Sequence, residues 1–137
     1  MKLNIFTLVI IVVFGALFLR QASGMPWTPN RIIGFAIAAP ALLLLIVARI
    51  QLGRAFSVRA RATTLVTSGL YSRIRNPIYV FSALVIFGVI LWTGRPVLLI
   101  ILAVLVPVQL IRIRKESEAL EAKFGTEYVE YKRRTWF

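Results

Sequence analysis

The chain has 137 residues, one domain's worth of length, of which 59% are hydrophobic and 16% charged, with a mean hydropathy of +0.83. A soluble core of this size could not hide so much apolar surface, so much of it should face lipid. Seventeen Lys and Arg oppose five Glu and no Asp, a net charge of +12. The basic residues flank apolar runs and no soluble recognition motif accompanies them, so the charge reads as membrane orientation and nucleic acid is not an expected partner. The chain has neither Cys nor His. That excludes disulfides and thiolate nucleophiles, and it removes the commonest general base and the commonest metal ligand. With all the carboxylates lying between Glu116 and Glu130, no metal site is expected.

Four apolar runs follow in chain order: Leu3 to Leu19, Ile32 to Ile50, Ile78 to Trp92 and Val97 to Ile111. A bilayer-spanning helix needs about 20 residues. The first two runs approach this, and the last two need flanking residues, snorkelling Arg112 and Arg114, or a thinned bilayer. The first run follows Lys2 and precedes Ala22-Ser23-Gly24, as a signal peptide would. It is longer than the usual apolar segment of one, so a retained helix is expected. Thr93-Gly94-Arg95-Pro96 separates the last two runs and reads as the turn of a helical hairpin. Pro40 and Pro107 fall inside helices two and four. The expected fold is therefore all-α: a single polytopic membrane domain, residues 1–137, of four transmembrane helices (about 3–19, 32–50, 77–92 and 96–113). A loop (51–76) and an amphipathic tail (114–137) complete it.

Four spans place the N-terminus, the second loop and the tail on one side. That side carries fourteen of the seventeen basic residues, the other Arg20, Arg31 and Arg95. The positive-inside rule makes the richer side cytoplasmic, with both chain ends there, in an inner (plasma) membrane.

Two segments on that side are too detailed for connectors. In Leu65 to Tyr79, Asn76 suits an N-cap and Pro77 the first helical position. Helix three should then begin at the membrane surface, where its free N–H groups, with Arg73 and Arg75, favour a carboxylate or phosphate. A capped helix whose arginines face lipid phosphates explains the same residues equally well. In Gln109 to Tyr131, Gln109, Arg112 and Glu116 share one helix face, and Arg112 and Glu116 are spaced for an ion pair. Leu120, Phe124, Tyr128 and Tyr131 continue an apolar stripe, with Gly125 a candidate break. An interfacial amphipathic helix is the simpler reading of this stretch alone. Together, an anion-binding helix start and a tail bearing a carboxylate and aromatic rings suit a zwitterion that also carries a cationic centre.

Gly69-Leu70-Tyr71, then Arg75-Asn76-Pro77-Ile78-Tyr79, then Glu116, Leu120 and Phe124-Gly125-Thr126-Glu127-Tyr128-Val129-Glu130-Tyr131 resemble the isoprenylcysteine carboxyl methyltransferase family. The phospholipid N-methyltransferases share the pattern. Upstream, Leu52-Gly53-Arg54-Ala55-Phe56-Ser57 also fits, so the resemblance covers roughly residues 50–137. It implies a membrane enzyme that uses S-adenosylmethionine, releases S-adenosylhomocysteine and methylates a lipophilic acceptor drawn from the bilayer. It further implies that Arg75, Asn76, Pro77 and Tyr79 belong to the cofactor motif, that Leu65, Val66, Gly69 and Tyr71 line its approach, and that Glu116, Tyr128 and Tyr131 close it from the tail. Three positions depart from the family pattern: Asn76 for His, Phe81 for a Gly whose loss narrows the pocket or lipid entry, and Ser117 for a second Glu.

The residue set tolerates this chemistry. Methyl transfer from a sulfonium is one in-line displacement, to which alignment and desolvation contribute much of the rate. A carboxylate acceptor needs no base, whereas an amine must arrive neutral or lose a proton, so the lack of His favours the carboxylate. Glu116, oriented by Arg112, is expected to position cofactor or acceptor. Two other readings stay open: a non-catalytic membrane protein that keeps the fold, and a membrane reductase, because steroid and sterol reductases resemble this family in their C-terminal helices. The short third and fourth helices also leave room for self-association.

Overall fold

Where water is absent every backbone N–H and C=O must be satisfied within its own segment, and a chain this apolar meets that demand with helices. The computed structural model describes residues 5–55 and 65–137. Among them run α1 (Ile5–Ala22), α2 (Pro29–Ala55), a 3-10 turn (Gly69–Ser72), α3 (Pro77–Thr93), a second 3-10 turn (Pro96–Leu98), α4 (Leu99–Phe124) and α5 (Thr126–Arg134). The described residues contain no strand, only an isolated parallel bridge between Ile74 and Trp136. Lys2, Leu3, the Phe56-Ser57 end of the upstream motif, Arg59 and Arg61 lie outside the described residues.

Helix ends follow their breakers. Pro29 opens α2, Pro77 opens α3, and Gly94 closes α3 in the left-handed conformation (φ 66°), its N–H bonded to the Leu91 carbonyl. Pro40 and Pro107 sit inside α2 and α4 and face outward. Two helical stretches, Pro29–Gly53 and Pro96–Phe124, are long and apolar enough to cross a membrane; Leu8–Ala22 and Pro77–Thr93 are apolar but shorter. Much of the apolar surface of α4 points outward, including Ile100, Val104 and Ile111, as expected of a helix that meets lipid. α4 runs on past the membrane boundary expected near residue 113 as far as Phe124, and the candidate break at Gly125 (φ 55°, ψ −124°), a conformation suited to glycine, separates it from α5.

α2 and α3 make the most extensive contact of the bundle. Gly34, Ala38, Ala41, Leu45 and Ala48 form the buried stripe of α2. At its upper end the backbones nearly touch: a Cβ on Gly34 would lie 2.5 Å from the Gly88 carbonyl oxygen, and one on Gly88 would lie 2.7 Å from the Ala38 nitrogen. Between lipid-exposed helices association rests on van der Waals packing, so close approach through small residues is the available device. Phe14 and Phe35 pack around Trp92 at this end, and the Trp92 indole N–H donates to Gln21 Oε1 at 2.9 Å. Lower down, Ile10, Ala41, Leu45, Phe81 and Val85 form the core. Phe81 therefore packs among α1, α2 and α3.

Gly88→Ala is expected to destabilise the bundle by about 1–3 kcal/mol, the usual effect of overpacking. Gly15→Ala, whose added methyl meets nothing within 4 Å, is expected to leave it unchanged. Thermal unfolding in detergent, followed by tryptophan fluorescence, measures both.

Candidate functional site

At the opposite end of the bundle the C-terminal turns of α2, the 3-10 turn before α3, the start of α3, the lower half of α4 and all of α5 converge. Gly69 begins the turn with φ +63°, and a side chain there would collide with Gln51. Gln51 is held in that space because its Oε1 accepts the Leu70 N–H at 2.9 Å. The turn drives Tyr71 inward until it is 1% exposed, with its hydroxyl 3.4 Å from the Ala48 carbonyl. Tyr131 of α5 donates to the Tyr71 carbonyl at 2.8 Å. Tyr128 pairs its hydroxyl with Ser117 Oγ at 2.9 Å. Leu120, Tyr128 and Tyr131 form a small core that Leu65 and Phe124 complete, with half-buried Val66 next in the chain. Ser117, a departure from the family pattern, thus has a defined task in fixing α5 to α4.

The end of the chain clasps the start of α3. Trp136 N–H donates to the Arg73 carbonyl at 2.7 Å, and Arg75 N–H donates back to the Trp136 carbonyl at 3.0 Å. Asn76 donates to the Phe137 main-chain oxygen twice, from its backbone N–H at 3.0 Å and from Nδ2 at 3.3 Å. Asn76 occupies the N-cap position of α3, but its side chain does not cap the helix. Its backbone (φ −123°, ψ 55°) lacks the extended geometry usual at a cap, and the amide turns to Phe137. The electronegative atom at this helix start is thus an oxygen of the chain's own tail.

The polar centre is formed by Tyr79 and Glu116. Tyr79, one turn into α3, donates its hydroxyl to Glu116 Oε1 across the bundle at 2.7 Å. Arg112 lies one turn before Glu116 and is exposed, while the Tyr79 bond to Glu116 comes from α3. Arg49 of α2 lies within electrostatic reach of Tyr71, Tyr79 and Glu116. Higher on the same faces, Gln109 Nε2 donates to Ser82 Oγ at 3.1 Å, and Ser82 Oγ donates to the Tyr79 carbonyl at 3.0 Å. Beside this chain of bonds opens a groove of about 280 Å³, lined by Tyr79, Val80, Ala83, Leu84, Val106, Gln109, Leu110, Ile113 and Phe137. Phe81 is not among its walls, so the expected narrowing by that residue does not occur on this side of α3.

The fold thus gathers Leu65, Gly69, Tyr71, Arg75, Asn76, Pro77, Tyr79, Glu116, Tyr128 and Tyr131 at one end. Two kinds of residue emerge among them. Tyr71, Asn76, Pro77, Tyr128 and Tyr131 are buried, whereas Arg75, Tyr79 and Glu116 are only partly covered. Sequence reasoning passed over Arg49, Gln51, Ser82 and the Trp136-Phe137 clasp. Arg49 had a signal, a cation near the end of an apolar run. The others had none, because their partners lie far away in the chain.

A family model described as phospholipid methyltransferase matches residues 29–127, most of the chain. The chain belongs to that family. Its members are methyltransferases that act on lipid-type substrates, and with two long apolar helices this one is a membrane protein of that class. Comparison with curated proteins and with solved structures gave no match.

Tyr131→Phe removes the donor to the buried Tyr71 carbonyl and is expected to lower stability by about 1–3 kcal/mol. Val129→Ala, away from this contact, should not loosen the Gly69–Ser72 turn. Hydrogen exchange at the Tyr71 and Arg73 amides reads the difference.

Proposed function

We propose that this protein transfers a methyl group from S-adenosylmethionine to a lipid acceptor at the cytoplasmic face of the membrane. The observation that carries the reading is the double position of Tyr79: its hydroxyl holds Glu116, and its ring forms one end of the apolar groove. A polar centre thereby adjoins a greasy trough, as an amphiphilic acceptor requires. The acceptor's apolar chain lies along Val80, Ala83, Leu84 and Val106, and its polar end reaches the Tyr79–Glu116 pair. The wide exposure of α4 lets such a chain enter sideways from lipid.

The residues also suit the cofactor. Glu116 is a half-buried carboxylate bonded to the Tyr79 hydroxyl, and a carboxylate so placed favours an ammonium or sulfonium. S-adenosylmethionine, when bound, supplies a methyl already activated on sulfur. Glu116 then acts as a positioning residue, attracting the cationic centre while Tyr79 fixes its orientation. Closure of the tail over the start of α3 excludes water from the same place. The loop and tail carry most of the positive charge in the sequence, and Arg73, Arg75 and the tail lie at this end, which supports the cytoplasmic orientation.

Calorimetry with S-adenosylmethionine and S-adenosylhomocysteine on protein in detergent, repeated in lipid, tests the reading. Saturable binding and methyl transfer to an added phospholipid or isoprenylated acid are expected. Binding of a nicotinamide dinucleotide in their place would transfer the protein to the reductases. Glu116→Gln is expected to reduce kcat/KM at least about tenfold, with partial recovery in Glu116→Asp. Ala83→Trp, which fills the groove, is expected to raise the acceptor KM about tenfold while the affinity for S-adenosylhomocysteine stays constant.

A further inference from the structure

One charged side chain of α2, Arg49, is half-buried at the lower end of the bundle. Arg49 follows Ala48, which is fully buried, and lies four residues after Leu45, which is 1% exposed. A cation at this depth ordinarily snorkels, sending its guanidinium outward to lipid phosphates. Arg49 does not. Its Nε is buried and has no hydrogen-bond partner among the described residues. Its charge faces Tyr71, Tyr79 and Glu116 from across the site. Burying a charged donor is costly unless it is met by an acceptor, and an unmet donor in a native site calls for a ligand. Glu116 Oε1 is directed to Tyr79.

We infer that Arg49 receives an oxyanion of the bound small molecules, a carboxylate or a phosphate, through its buried Nε edge. The inference rests on the methyltransferase reading and adds a residue to its site. Glu116 and Arg49 then form two poles of opposite sign on facing helices, with Tyr79 between them. That arrangement matches a zwitterion: the cationic end lies at Glu116 and the anionic end at Arg49. Both ligands of the proposed reaction carry such an end, the cofactor as an amino-acid carboxylate and a phospholipid acceptor as its headgroup phosphate. Arginine suits either because its planar fork donates to two oxygens at once.

The test compares wild type, Arg49→Gln and Arg49→Lys in lipid nanodiscs. Calorimetry measures affinity for S-adenosylhomocysteine and for an analogue lacking the α-carboxylate, and initial rates give KM and kcat for a phospholipid acceptor. If the oxyanion belongs to the cofactor, Arg49→Gln weakens S-adenosylhomocysteine at least about tenfold and leaves the carboxylate-free analogue unaffected. If it belongs to the acceptor, the cofactor affinity stays constant and the acceptor KM rises about tenfold at similar kcat. Arg49→Lys keeps the charge without the fork and should fall between the two, and it replaces Arg49→Gln should that variant fail to fold. Unchanged cofactor affinity together with unchanged acceptor KM in a folded variant overturns the inference. A wild type that binds no S-adenosylhomocysteine refutes the methyltransferase reading instead. Arg49 is then judged by sulfate: stabilisation of wild type but not of Arg49→Gln in thermal unfolding upholds the oxyanion site, and equal stabilisation of both rejects it.

Discussion

The backbone contact between α2 and α3 is the constraint on which the remaining geometry depends. In lipid, apolar side chains gain nothing by leaving one greasy surface for another, so helices associate where their shapes allow many close contacts. Gly34 and Gly88 remove the side chains that would hold the helices apart, and Ala38 meets Gly88 at the same crossing. The stripe continues through Ala41 and Leu45 to Ala48. At its lower end the Ala48 carbonyl lies beside the Tyr71 hydroxyl, and Arg49 faces the start of α3. The crossing therefore sets the distance between the helices at one end and the contents of the polar centre at the other.

The lower end is built by successive fixings, each satisfying a group that the previous one leaves. Gln51 holds the Gly69–Ser72 turn, the turn buries Tyr71, and Tyr131 takes up the Tyr71 carbonyl. Tyr128 and Ser117 then tie α5 to α4. Gly125 permits the reversal that brings α5 back, since few other residues adopt its positive φ without strain. The Trp136-Phe137 segment finishes the assembly by bonding to the backbone of residues 73–76. Several residues carried over from the family pattern thus build the frame around Tyr79 and Glu116.

Polar groups within apolar helices are few here, and those in the lower half are ordered. Gln109, Ser82 and the Tyr79 carbonyl form a short run of hydrogen bonds along the wall of the groove. In a low-dielectric setting such a run is rigid, because breaking one bond leaves a buried group unsatisfied. It keeps the α3–α4 groove open at a fixed width beside Tyr79.

The amino-acid sequence by itself determined the class of fold and the two ends of α3. Long apolar runs in a chain without His, Cys or Asp leave helices in lipid as the available solution, and Pro29, Pro77 and Gly94 act locally, whatever lies around them. The spacing of Gly69, Tyr71, Asn76, Tyr79, Glu116, Tyr128 and Tyr131 was equally legible, because it resembles a family pattern. Tertiary structure decided what each of these residues does. Asn76 bonds to Phe137, 61 residues away, and Tyr79 meets Glu116 across 37. Arg112, expected beside Glu116 from helical spacing, is exposed, and Glu116 accepts a bond from another helix. Arg49 interrupts an apolar run in the sequence and becomes part of the polar centre only when α3 and α4 stand before it. Local signals act over one or two helical turns, whereas a site is assembled by side chains whose distances are set by packing between helices.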